Sequence, residues 1–502
     1  MPLNRRRFLT TSGTSAFLSG AVPLLPGLRT ISALDAAVPE GVVQLRPEIE
    51  PLVKLIEDTD RNRLIEVIAR RIRDGLSYRE VLAALFLAGV RNVQPRPSVG
   101  FKFHAVLVVH SAHLASLASP DEDRWLPLLW ALDEFKSSQA RDVQEGNWTM
   151  APVRESAVPD QEHVRDSFHQ AMRDWHEEQA DVSAAAVARH LDANETLELF
   201  ATYAARDFRS IGHKPIFLAN AWRTLQTIGW EHSEPVLRSL AYAMLNHNGE
   251  PNPARSDLAA DRSWRHNQDL MQKVRADWVS GRQDDGAVQN LISVLHSGSA
   301  DDAAESVVDQ LNAGISPQCI YDALHLASGE LLMRQSGIVS LHAATSTNAL
   351  RFLFDHVTTP STRLSLLLQN AAFLPQFREA MRGRGAVNSS RLMQLSASRA
   401  GAASIDSIFR DVGQSREQAG AQVLSYLDSG NTAESLIDAA RRLVFLKGND
   451  SHDYKFSSAV LEDCMKVSEP YRHRFLAASS WMLQGSTFPT NSLVNRIQAA
   501  LG

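Results

Sequence analysis

The stretch Gly314-Ile-Ser316-Pro317-Gln-Cys-Ile-Tyr-Asp-Ala-Leu324-His-Leu-Ala327-Ser-Gly-Glu-Leu331-Leu332-Met-Arg334 decides the fold class. Gly314 ends one helix and Ser316 caps the next. Pro317 falls in the first turn, where no amide hydrogen bond is lost. The apolar residues Leu324, Ala327, Leu331 and Leu332 then recur at the three- and four-residue steps of a helix. Comparable starts occur at Gly75-Leu76-Ser77-Tyr78-Arg79-Glu80, at Leu191-Asp192-Ala193-Asn194-Glu195 and at Gly430-Asn431-Thr432-Ala433-Glu434. The cap positions Ser77, Asp192, Ser316 and Asn431 stand 115, 124 and 115 residues apart. Three of them have a glutamate three residues on, the spacing of a capping box.

Two further markers keep a similar period. Pro120, Pro235, Pro360 and Pro470 each have a Ser or Thr one or two residues upstream and open a later helix. Between the two markers lie His104, His213, His342 and His452, each near the start of a helix. Three markers at one period predict an all-α chain of four tandem units of about four helices each. The expected units cover 60–141, 181–250, 302–382 and 418–488 of a single domain, 38–502. In the third they run 302–313, 317–334, 341–354 and 361–381. Repeats of this kind stack neighbour on neighbour, as an open solenoid or a closed ring. Longer inserts fall at 145–162, 248–262 and 383–400.

Composition agrees with a folded chain and narrows its class. Of 502 residues, 44% are hydrophobic and 22% charged, which excludes a disordered polymer. The net charge of −6, without basic runs, gives no footprint for nucleic acid. Cys319 and Cys464 are the two cysteines, too few for a disulfide framework or a thiolate zinc site. No HExxH, GxSxG, GxGxxG or GxxxxGK[ST] motif occurs.

The N-terminus reads as an address. Asn4-Arg5-Arg6-Arg7-Phe8-Leu9 precedes a weakly apolar stretch and the small-residue segment Ala33-Leu34-Asp35-Ala36-Ala37. That order is a signal peptide over 1–37, and adjacent arginines before Phe-Leu resemble a twin-arginine signal. The expected location is periplasmic or extracellular, with the twin-arginine machinery as a partner. Cleavage after Ala36 or Ala37 would put Leu34 or Asp35 where a small residue is preferred, so an uncleaved anchor is an alternative. Elsewhere no apolar run is long enough to span a bilayer. The twin-arginine route exports folded proteins, many with a cofactor already inserted.

The repeated histidines carry the expected chemistry. If the units close into a ring, His104, His213, His342 and His452 converge on one axis as ligands or acid/base groups. The alternative is four architectural histidines at repeat junctions. His110 and His113 share a helical face and are a second ligand candidate, while His104 lies 180–240° round the same helix. Asn348 and Lys455 are candidates for contacting a cofactor. Asp133 and Glu134 could act as a carboxylate ligand or base, or form a solvated pair. The metal would be iron or copper, or a haem.

The same helices resemble the questin-oxidase-like family. Gly212-His213-Lys-Pro-Ile-Phe-Leu-Ala-Asn-Ala is similar to that family's xHPxIHLGYA helix. Phe103-His104 through His113-Leu-Ala-Ser-Leu resembles its early histidine-rich helix. Gly337 through Leu350, with His342 and Asn348, resembles its MHxVxxxxxL segment. The resemblance covers three short segments, and Phe217 stands about where the family has a second histidine. It implies an oxygen-using oxidoreductase; the family acts on aromatic polyketide-like compounds, and only the broad class carries over. The expectation is thus an exported oxidoreductase acting on a small organic substrate. The alternatives are a binding scaffold in the cell envelope and a metal-independent hydrolase or lyase.

Overall fold

The computed structural model describes residues 41–95, 100–245, 249–398 and 403–502. The export signal expected at 1–37 lies outside the described residues. Among those residues the regular structure is helical, with one isolated bridge between Arg282 and Ile315. No described helix is long and apolar enough to cross a membrane.

The first unit comprises α1 (Glu50–Asp58), α2 (Arg61–Arg73), α3 (Tyr78–Asn92), α4 (Gly100–Ala118) and α5 (Leu126–Gln144). The second comprises α6 (Val164–Asp174), α7 (Glu177–His190), α8 (Ala193–Ala204), α9 (His213–Ile228) and α10 (Ser233–Leu245). After α11 (Ala259–Met271), the third runs through α12 (Asp285–Ser297), α13 (Ala300–Asn312), α14 (Pro317–Arg334), α15 (Ile338–His356) and α16 (Pro360–Arg382). The fourth has α17 (Ile405–Val412), α18 (Arg416–Asp428), α19 (Ala433–Lys447), α20 (Ser451–Lys455), α21 (Val460–Asp463) and α22 (Glu469–Ala478). The chain ends in α23 (Ser492–Leu501).

One further helix thus precedes the four expected in each unit. Those of the first two units start from Ile49 and His163, neither of which makes a side-chain cap, so no start signal marks them. The boxes at Ser77–Glu80 and Asp192–Glu195 form as expected. Asn431 instead donates to the Tyr426 carbonyl, and the helix begins one residue later from Thr432. Pro120 opens a 3-10 turn rather than a helix; its Asp123 is held by Arg442 at 2.6 Å. The His452 helix is interrupted. It splits into α20 and α21 around Ala459, whose ψ of −106° leaves the helical region.

The units close into a ring. The third helix of each packs on the next unit: α3 on α9 and α10, α8 on α15 and α16, α14 on α22, and α19 back on α4 and α5. The inner helices follow the same cycle, α4 on α9, α9 on α15, α15 on α21, and α20 on α4. The terminal α23 seals the seam against α2 and α5, with Arg496 bonded to Glu66 at 2.8 Å. Cyclic packing explains why the inner helices are buried on nearly every face. In α9 the buried set runs continuously from His213 to Leu225. Such helices have weak amphipathic stripes because they have no solvent side.

A buried ion pair anchors α9. Lys214 Nζ meets Asp207 Oδ2 at 2.5 Å, with both side chains 1% exposed, and donates to the Met244 carbonyl. Removing one partner strands the other charge in a dry interior. Lys214→Ala is therefore expected to lower unfolding free energy by about 3–5 kcal/mol in urea titrations. A loss below about 1 kcal/mol would show that Asp207 is not held by this pair.

Candidate metal centre

Helix α9 begins abruptly because Gly212 adopts φ +78°, a conformation that favours glycine. A Cβ there would stand 2.6 Å from Ser346 Cβ on α15. This close approach sets His213 against the neighbouring inner helix. His342 lies one turn into α15 and His104 one turn into α4. The three imidazoles meet at the ring axis, with His213 Nε2 3.2 Å from His104 Nε2 and 3.0 Å from His342 Nε2. All three residues are at most 4% exposed.

The outward nitrogens fix the tautomers. His213 Nδ1–H donates to the Ser210 carbonyl at 2.7 Å, and His342 Nδ1–H donates to the Ile338 carbonyl at 2.6 Å. A carbonyl can only accept, so both protons sit on Nδ1. Burial holds both imidazoles well below the usual histidine range, with the Lys455 charge adding to the effect. Neutral rings carry one proton each. Two Nε2 lone pairs therefore face each other at 3.0 Å, a repulsive arrangement that a shared cation or proton would relieve. Imidazole ligands at about 2.0–2.1 Å from a metal put neighbouring nitrogens about 3.0–3.4 Å apart. The spacing found here fits one bare ion. Two imidazoles this close could not both hold one haem from opposite faces.

His104 completes the set, its Nδ1 bonded to Ser451 Oγ at 3.0 Å. His452 stands beside the triad, its ring centroid 4.5 Å from that of His104 and 5.6 Å from that of His342. Its Nδ1 lies 3.3 Å from Asp450 Oδ1, and its buried Nε2 has no hydrogen-bond partner. Lys455 Nζ reaches His342 Nε2 at 3.2 Å, and burial pushes this amine down to about 7. One five-residue helix, α20, thus supplies Ser451, His452 and Lys455 to the site.

His110 and His113 stand apart from the triad. His110 is six residues beyond His104 on α4, about 9 Å along the helix axis. It is buried with both ring nitrogens unpartnered. His113 Nδ1 pairs with Tyr78 Oη at 3.1 Å. Asn348 also belongs to a deeper layer. It donates to Asp463 Oδ1 at 2.9 Å and to Glu462 Oε2 at 3.1 Å, while Arg223 pairs with Glu462 at 3.0 Å. Asp133 is held bidentately by Arg61, and burial pushes Glu134 up to about 7. Sequence reasoning did not single out Ser210, Asp450, Ser451, Arg223 or Glu462. Of these, only Asp450 carried a signal, as an acidic cap two residues before His452.

Two outcomes follow. Gly212→Ala is expected to cost more than about 1 kcal/mol, from the left-handed φ and the collision with Ser346. It should also weaken metal uptake, read by thermal unfolding and metal titration together; an unchanged Tm would refute the close-approach argument. Glu134 binds its proton more tightly when folded, so the folded state holds more protons than the unfolded one from about pH 4.5 to 7. Stability contributed by this group is present below about pH 4.5 and falls by up to about 3 kcal/mol as pH rises through 7. Glu134→Gln should flatten that slope, measured by urea unfolding at pH 5 and pH 8.

With the site's geometry in place, comparison with known proteins adds no relative: no protein-family model, curated protein or solved structure matches the chain.

Proposed function

We propose that the protein is a metal-dependent oxidoreductase whose ion is held by His104, His213 and His342. The observation that carries this reading is the pair of lone pairs at 3.0 Å, each fixed by an Nδ1–H bonded to a backbone carbonyl. Three neutral imidazoles add no negative charge to the ion. A dry site with a neutral ligand set favours the less charged state of a redox metal, which makes the centre a good electron acceptor. Imidazole suits iron and copper as well as zinc. His452, steadied by Asp450, stands beside the triad with its Nε2 unpartnered and is the group that would accept or return a proton there. The substrate is a small organic molecule, in keeping with an enclosed site.

The resemblance to the questin-oxidase-like family supports the same reading, because its three segments are those that contribute His104, His213 and His342. Export by the twin-arginine route to a periplasmic or extracellular location belongs to the proposal through Arg5-Arg6-Arg7-Phe8-Leu9. A folded carrier with its ion in place is a suitable passenger for that route. The His452–Asp450 pair also favours a second reading, a zinc hydrolase in which the same imidazole takes a proton from water.

Elemental analysis of the protein purified after expression in full separates these. The expectation is about one iron or copper ion per chain, bound at three imidazoles. His213→Ala combined with His342→Ala should remove at least about nine-tenths of it while the helical circular dichroism persists. Zinc alone would sink the oxidoreductase reading and leave the hydrolytic one. Unchanged metal content in the double variant would sink both.

A further inference from the structure

A second polar site lies between α2, α5 and α23. A cavity of about 440 Å³ is lined by Arg61, Trp130, Glu134, Asn449, Ser492 and Arg496, among others. Its aromatic wall residue, Trp130, packs against the segment that serves the triad. Tyr454 stacks on Trp130 with centroids 3.3 Å apart, and Asn491 Nδ2 donates to Tyr454 Oη at 2.9 Å. The cavity is therefore held by rigid aromatic packing.

Its charges are nearly all spoken for. Arg61 binds Asp133 at 2.7 Å through two hydrogen bonds, and Arg496 binds Glu66 at 2.8 Å. The exception is Glu134. It is 8% exposed, lines the cavity, and its buried Oε1 has no partner. Burial, with Asp133 and Asp450 nearby, keeps its proton on near neutrality, while Arg61 opposes this. A buried carboxyl with an unmet oxygen asks for a hydrogen-bonding ligand. A carboxylic acid both donates and accepts, as do the side-chain amide of Asn449 and the hydroxyl of Ser492 at the rim. Groups of this kind around an aromatic wall match a molecule rich in hydroxyls, and no uncompensated charge is left to select an ion.

We propose that this cavity binds a neutral polyhydroxylated small molecule, a sugar or polyol, with Glu134 as the buried group that hydrogen-bonds it. The proposal rests on the cavity and is independent of the metal reading.

Isothermal titration calorimetry on the full chain tests it, with maltose and sorbitol as neutral probes and glucosamine and gluconate as charged counterparts. A neutral probe should bind one to one, at least about tenfold more tightly than either charged one. Glu134→Ala should weaken that binding at least about tenfold, and Glu134→Gln, which keeps a donor and an acceptor, by no more than about threefold. Metal content should be unchanged in both variants, so a failure here is separate from a failure of the triad. If Glu134→Ala loses its helical circular dichroism, Asn449→Ala at the rim replaces it, with an expected loss of about fivefold. The proposal is overturned if neither neutral probe binds at millimolar concentration, if a charged probe binds as tightly, or if the alanine variant binds unchanged.

Discussion

Three imidazole nitrogens crowded within hydrogen-bonding distance, with two of the protons that could relieve them committed elsewhere, are the constraint around which the interior is arranged. His213 and His342 each give their Nδ1–H to a carbonyl of their own helix or its entry turn. Backbone geometry thus decides the tautomer, and the tautomer decides that the lone pairs converge. In water such an arrangement would relax by taking up a proton. Here burial disfavours that route, since a charged ring would lose its hydration.

Closing the ring makes this crowding possible. Each inner helix is pressed by its neighbours on both sides, and the last returns to the first through α20 and α4. The contact that sets the closest approach is between Gly212 and Ser346, where even a methyl group has no room. Side-chain placement at the axis is thus fixed by the outer packing of α3, α8, α14 and α19, each reaching into the next unit. An interior that is close-packed transmits such constraints over long distances.

Polar groups continue along the axis below the histidines. Ser111 and Ser458 bond to one another, and Arg223 ties α9 to Asn348 on α15 and to Glu462 on α21. Arg223 also lies 4.1 Å over the Phe352 ring. Buried polar networks are costly unless their members find partners. Breaking the fourth inner helix into α20 and α21 lets one segment address both layers. Ser451, His452 and Lys455 serve the upper one, and Glu462 and Asp463 serve the lower.

Much of the architecture was legible as repetition. Caps at Ser77, Asp192 and Ser316 are local hydrogen-bonding devices, and local devices leave a signature in local sequence. The short uncapped helices beginning after Ile49 and His163 left none and were missed. Recurrence also marked His104, His213, His342 and His452 as equivalent positions. It could not show that three share one point while the fourth stands aside, because the interruption near Ala459 is visible only once the chain is packed. Likewise, His110 and His113 satisfy the helical spacing of a ligand pair, yet packing sends one into a dry seam and the other to Tyr78. The chain alone therefore determined helix content, period and the residue types available to a site, since these depend on neighbours a few residues away. Tertiary structure alone decided the ring, the meeting of the imidazoles and the direction of their lone pairs, since these depend on contacts between segments more than a hundred residues apart.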